Sequence, residues 1–146
     1  MNGPRFSIDT NILIYSINTD AGPKHQLASA LVDALADKDC VLTRQALAEF
    51  FHAVTRKTKM PIEDAATMVQ DCMELFPVAV ADGRVLRRAM RLKEQESFSF
   101  SDAMLLETAG AAGASRLLTE DMQDGRLLGA LKIENPFRDG FALDLA

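Results

Sequence analysis

Four acidic residues in this chain stand where they could do chemistry. Asp9 ends a short apolar run, Phe6-Ser7-Ile8, and opens a turn with Thr10 and Asn11. Glu49 lies at the border of the apolar side of a predicted helix. Asp102 starts a later helix, and Asp121 follows a second apolar run, Arg116-Leu117-Leu118-Thr119, by two residues. Singly, each has an ordinary reading. Asp9 caps the helix after it, and Asp102 complements a helix dipole. Asp121 shares a solvated turn with Glu120, Asp124 and Gly125, and Glu49 pairs with Arg56 or Lys57 along its own helix. Taken together, the four can converge. Two like charges about 4 Å apart repel by about 4 kcal/mol at an effective dielectric of about 20, so a carboxylate cluster needs protons or cations. An all-oxygen donor set selects Mg2+, or Mn2+, over zinc. An ion held this way lowers the pKa of its water and polarises a phosphate, which suits phosphodiester hydrolysis. A pair of ions about 4 Å apart can activate the attacking water and stabilise the leaving oxygen.

The remaining composition narrows the class. His25 and His52 lack metal-ligand spacing and read as surface or boundary residues, which disfavours a histidine-built zinc enzyme. Cys40 and Cys72 cannot make a disulfide framework and read as small apolar residues in a reduced compartment. With no basic segment leading into an apolar core at the N-terminus, a cytoplasmic protein is expected. No run approaches the roughly 20 apolar residues of a membrane span; the stretch Ala103 to Leu118 is interrupted by Glu107 and Arg116. A net charge of −5 argues against a simple basic nucleic-acid binder. It leaves open a nuclease whose metal ions offset local charge.

A chain of 146 residues suits one domain. Short apolar runs alternate with amphipathic segments, which predicts an α/β layer structure with a mostly parallel sheet of four to five strands. Strands are expected at Arg5–Ile8, Cys40–Thr43, Phe76–Val80 (an edge or a strand start, given Pro77), Arg116–Thr119 and Leu131–Ile133. Helices are expected over Ile12–Ile17, from Gly22-Pro23 onward, Gln45–Lys57, from a first-turn Pro61 onward, Asp82–Gln95 and Ser101–Ala112. In such sheets ligands bind beyond the carboxyl ends of the strands, where Asp9, Asp102 and Asp121 can meet.

At these residues the chain resembles the PIN-domain ribonucleases, and within them the VapC-type toxins of type II toxin–antitoxin systems. The matching segments are Phe6-Ser7-Ile8-Asp9-Thr10-Asn11-Ile12-Leu13, Ala48-Glu49-Phe50, Phe100-Ser101-Asp102-Ala103, Leu117-Leu118-Thr119-Glu120-Asp121 and Asn135-Pro136-Phe137. The resemblance implies a three-layer α/β/α sandwich over residues 1–137, followed by a tail, 138–146. It also implies an acidic quartet of Asp9, Glu49, Asp102 and Asp121 that binds Mg2+ and cleaves RNA endonucleolytically. Asp124 is the alternative fourth acid. Asn11 would support the first acid, and the Thr119 hydroxyl would orient ligands. A homodimer and a cognate antitoxin are further implications.

Two basic groups could contact RNA phosphates or acidic antitoxin residues, which charge does not separate: the helical stripe Arg84, Arg87, Arg88 and Arg91, and the cluster Arg56, Lys57 and Lys59. Solvated helix faces are the plain alternative. Phe98 and Phe100 read as packing beneath the site, with base stacking the lesser reading. Phe141, Leu143 and Leu145 either dock as an edge segment or stay loose. Among other functions, a haloacid-dehalogenase-type phosphatase wants an acid where Asn11 stands, and a receiver domain wants an acidic pair before Asp9. A catalytically silent PIN-like RNA- or protein-binding module is the alternative of another class.

Overall fold

The computed structural model describes residues 3–143. The chain runs β1 (Phe6–Ile8), α1 (Thr10–Ile17), a 3-10 turn, α2 (Pro23–Leu35), β2 (Leu42–Thr43) and α3 (Arg44–Lys57). It continues with α4 (Ile62–Leu75), β3 (Val78–Ala79), α5 (Gly83–Gln95), α6 (Phe100–Ala111), β4 (Arg116–Leu118), β5 (Leu127–Leu128) and β6 (Leu131–Glu134). Polar residues start the helices that matter to the site. Asp9, Thr43, Asp82 and Ser99 each accept a hydrogen bond from a first-turn N–H of α1, α3, α5 and α6 in turn.

The principal sheet has the order β1-β4-β6-β5, and β2 pairs with β3. A parallel bridge between Phe6 and Cys40 links the two ladders. There the Phe6 N–H donates to the Asp39 carbonyl at 2.8 Å, and the Val41 N–H donates to the Phe6 carbonyl at 2.9 Å. Every ladder is parallel except β5–β6.

Several expected boundaries move. The first helix starts at Thr10 rather than Ile12, because Asp9 already caps it. Pro61 precedes α4 instead of occupying its first turn. The predicted third strand shrinks to Val78–Ala79 at the sheet edge, and the Pro77 carbonyl accepts the Leu42 N–H at 3.0 Å. β5 was not expected. Leu127-Leu128 is too short to show alternation, and its partner is supplied by a turn in which Gly129 adopts φ 60°.

Apolar residues alternate between two cores, giving the three layers. Phe6, Ile8, Leu42 and Leu118 face α1 to α4, with Leu47, Phe50 and Val54 of α3. Val41, Leu117, Leu131 and Ile133 face α5 and α6, with Ala89, Leu105 and Leu106. The period of two along each strand makes this division. Cys40 and Cys72 are free; Cys40 is buried in the first core, and that burial pushes its thiol up to about 12. Phe141 and Leu143 pack, half-buried, against the same core; Leu145 lies outside the described residues. Among the described residues no helix is long and apolar enough to cross a membrane.

Candidate active site

From β1 the sheet extends one way to β2 and β3 and the other way to β4 and β6. The crevice beyond the carboxyl ends of β1 and β4 is therefore a topological switch point, where such sheets bind ligands. Asp9 follows β1 directly and Thr119 follows β4 directly, and the Asp9 N–H donates to the Leu118 carbonyl at 3.1 Å. The Thr119 side chain is buried. Its hydroxyl donates to Asp9 Oδ2 at 2.7 Å and accepts the Asp121 N–H at 3.2 Å. Asn11, in the first turn of α1, donates its amide to Asp121 Oδ2 at 2.8 Å. Thr119 thus holds Asp9 as expected, whereas Asn11, expected to support Asp9, reaches across the crevice to Asp121 instead.

Glu49 is drawn into the same neighbourhood by α3. The Thr10 hydroxyl shares its proton between the Ala46 carbonyl at 3.2 Å and Glu49 Oε1 at 3.3 Å, and the Ser101 hydroxyl donates to Glu49 Oε2 at 3.2 Å. These donors are the immediate neighbours of Asp9 and Asp102. The expected pairing of Glu49 with Arg56 or Lys57 does not form. Asp102 enters from the first turn of α6, where its N–H donates to the Ser99 hydroxyl at 3.1 Å. Asp124 points elsewhere: its Oδ1 accepts the Asn135 N–H at 2.8 Å, and its Oδ2 pairs with Arg138 at 3.2 Å.

The electrostatics follow from this crowding. Burial pushes the Asp9 carboxyl above the ordinary carboxylate range, against the hydrogen bonds from Thr119 and Thr10, and the negative charges of Asp121 and Asp102 add to the rise. Burial likewise raises Asp102, opposed by its bond with Ser99 and assisted by the charge of Asp121. A cation would remove the repulsive part of this cost. Among the described residues no three Asp, Glu, His or Cys side chains form a preformed metal cage. The oxygen-only donor set still fits Mg2+, which takes one or two carboxylates, keeps several waters and does not need an all-protein cage.

Sequence reasoning missed the connecting residues. Thr10, Ser99 and Ser101 flank predicted acids at helix starts, and that adjacency was their available signal. Gln45 also escaped notice; its amide nitrogen donates to the Ser101 carbonyl at 3.0 Å and hydroxyl at 3.1 Å. Glu120 turns away from the acids to bond Lys24 at 2.6 Å and the Tyr15 hydroxyl. Lys24 also stands over the rings of Tyr15 and Phe137, which meet edge to face at 5.4 Å. That explains the closing Asn135-Pro136-Phe137 segment as packing.

The basic residues are placed less directly. Arg84, Arg87, Arg88 and Arg91 are all exposed on α5, and no described acid forms an ion pair with them. Arg56 and Lys57 line a shallow cavity with His52 at the far end of α3, and Arg56 approaches His52 Nε2 at 3.2 Å. Neither group hydrogen-bonds to Asp9, Glu49, Asp102 or Asp121. His25 Nδ1 lies 2.9 Å from the Tyr15 carbonyl, an ordinary structural contact.

Known proteins share this fold. The chain superposes on the sarcin–ricin-loop-cleaving VapC20 toxin of Mycobacterium tuberculosis with a TM-score of 0.60 and 18% identity, covering 77% of this chain and 86% of that one. For VapBC2 of Rickettsia felis, solved with a DNA fragment of its promoter, the values are 0.65, 19%, 90% and 98%. For DNA-bound VapBC of Salmonella typhimurium they are 0.67, 14%, 91% and 98%. No curated protein matches the chain in sequence. The PIN domain family model matches residues 7–123, from within β1 to just past the fourth acid, and with that span and the fold it accompanies, the chain belongs to the PIN-domain family.

Proposed function

We propose that this protein is a metal-dependent endoribonuclease and the toxin of a toxin–antitoxin pair, acting in the cytoplasm as a homodimer that a cognate antitoxin restrains. The observation that carries the reading is the hydrogen-bonded belt at the switch point. Thr119 joins Asp9 to the Asp121 backbone, Asn11 holds the Asp121 carboxylate, and Glu49 accepts from the neighbours of both Asp9 and Asp102. The PIN-domain membership and the shared fold with VapC toxins support it.

Asp9, Glu49, Asp102 and Asp121 would hold Mg2+ or Mn2+. The bound ion would supply an activated water and neutralise charge on the phosphate. The chain's own part is positioning. Thr119 fixes the Asp9 carboxylate, leaving its Oδ1 bonded to the Thr10 N–H at 2.6 Å. Asn11 fixes Asp121, and Ser99 holds the start of α6 so that Asp102 enters the crevice. Fixed carboxylates avoid reorganisation when charge develops on the substrate.

The test is cleavage of labelled single-stranded RNA by purified protein in Mg2+, with and without excess chelator. Cleavage should require the ion and be abolished by Asp9→Asn with circular dichroism unchanged. Equal cleavage in chelator would reject the metal mechanism, and no cleavage by the wild-type chain would favour the silent module.

A further inference from the structure

A cavity of about 430 Å³ adjoins the acidic belt, lined by Arg44, Gln45, Ala48, Ala79, Phe100 and Met104 among others. We propose that it is a subsite for one unpaired nucleotide flanking the cleaved bond, with the base against Phe100 and a backbone phosphate on Arg44; this rests on the nuclease reading above.

Three observations carry it. The first is the contrast between the two phenylalanines before Asp102. Phe98 is 8% exposed and packed in the second core, with the Arg126 guanidinium 4.5 Å from its ring centre. Phe100 is 42% exposed. Its ring sits at the first position of α6, on a rigid element, at the wall of the cavity. Burial does not account for it, and an exposed ring beside a nucleic-acid site is a stacking platform.

The second is charge. Arg44 opens α3 and also lines the cavity, and no described acid pairs with it. An unneutralised guanidinium at a helix start suits a phosphate oxygen. The third is connection. Gln45 bonds Ser101, which also lines the cavity, and the Ser101 hydroxyl donates to Glu49, so the cavity wall is one hydrogen bond from that acid. Ala48, Ala79 and Ala81 line the cavity with methyl groups and leave the volume open; about 300–1,000 Å³ is the usual size of a small-molecule pocket.

The experiment measures binding apart from cleavage. Fluorescein-labelled oligouridylate and oligoadenylate are titrated by anisotropy with the full chain in EDTA, and KM and kcat are measured in Mg2+. Phe100→Leu should weaken binding and raise KM by about 10-fold with kcat little changed, and Phe100→Tyr should restore both. Arg44→Gln should lower the slope of log affinity against log salt by about 0.7. Ala81→Leu, which fills the cavity, should weaken binding as Phe100→Leu does. Metal-dependent cleavage with binding and KM unchanged in these variants would overturn the subsite and leave the nuclease reading standing. Loss of binding in Phe100→Leu without any metal-dependent cleavage would keep the subsite and overturn the nuclease. No oligonucleotide binding by the wild-type chain, or loss of self-association in Phe100→Leu with affinity kept, would also overturn the subsite.

Discussion

Thr119 shows how much one hydroxyl can hold. It is buried, donates to Asp9 and accepts from the Asp121 backbone. Groups that orient metal-ligating side chains affect ion affinity by about 10- to 100-fold when removed. Thr119→Ala should therefore weaken Mg2+ binding by about that factor in isothermal titration, while Thr119→Ser, which keeps the hydroxyl, should stay near wild type. Equal affinities for all three would remove Thr119 from the site. Ser7 is the opposite case. Its hydroxyl is buried in β1 with no hydrogen-bond partner among the described residues, and an unmade bond there costs about 1–3 kcal/mol. Ser7→Ala should raise the midpoint of thermal unfolding; a fall would mean that the hydroxyl is satisfied in solution.

At the scale of elements, α1, α3 and α6 each deliver a carboxylate because each begins or passes at the carboxyl edge of the sheet. The caps on α3 and α6 hold that placement: Thr43 accepts the Ala46 N–H at 3.0 Å, and Ser99 accepts the Asp102 N–H. α5 contributes differently. Val85, Ala89 and Leu92 bury one side, leaving the four arginines on the other. If that face binds RNA phosphates, Arg87→Glu should weaken binding and flatten its dependence on salt. An unchanged affinity at every ionic strength would assign the stripe to solvent. The arginine periodicity was readable in the sequence, since residues three and four apart share a helix face. Its relation to the acids was not, because that depends on how α5 lies on α6.

For the whole molecule, the crowded carboxylates make stability depend on pH and on ions. The folded-state pKa values of Asp9 and Asp102 lie above the ordinary carboxylate value, chiefly through burial. The folded chain then holds these protons more tightly than the unfolded chain does. That contribution is fully present below the unfolded-state value of about 4 and is lost as pH rises through the folded-state values. In EDTA, the unfolding midpoint of the wild-type chain should fall, relative to Asp9→Asn, as pH rises from about 4 to neutral. Added Mg2+ should restore part of the loss by binding the folded state. Parallel curves for the two proteins would show that Asp9 is not strained by its surroundings.

The alternation of apolar runs with helical segments was enough to announce an α/β layer structure, because periods of 2.0 and 3.6 are local properties of the chain. Asp9, Glu49, Asp102 and Asp121 were likewise visible as acids at element ends. Residues far apart in sequence were another matter. Glu49 and Asp102 approach through Ser101, Asp9 and Asp121 through Thr119, and Asp124 is withdrawn by Arg138. Phe98 and Phe100 are separated by one serine, yet packing buries one and leaves the other beside a cavity. Such outcomes depend on where β1 and β4 pair and how the helices close over them, and no local pattern encodes that juxtaposition.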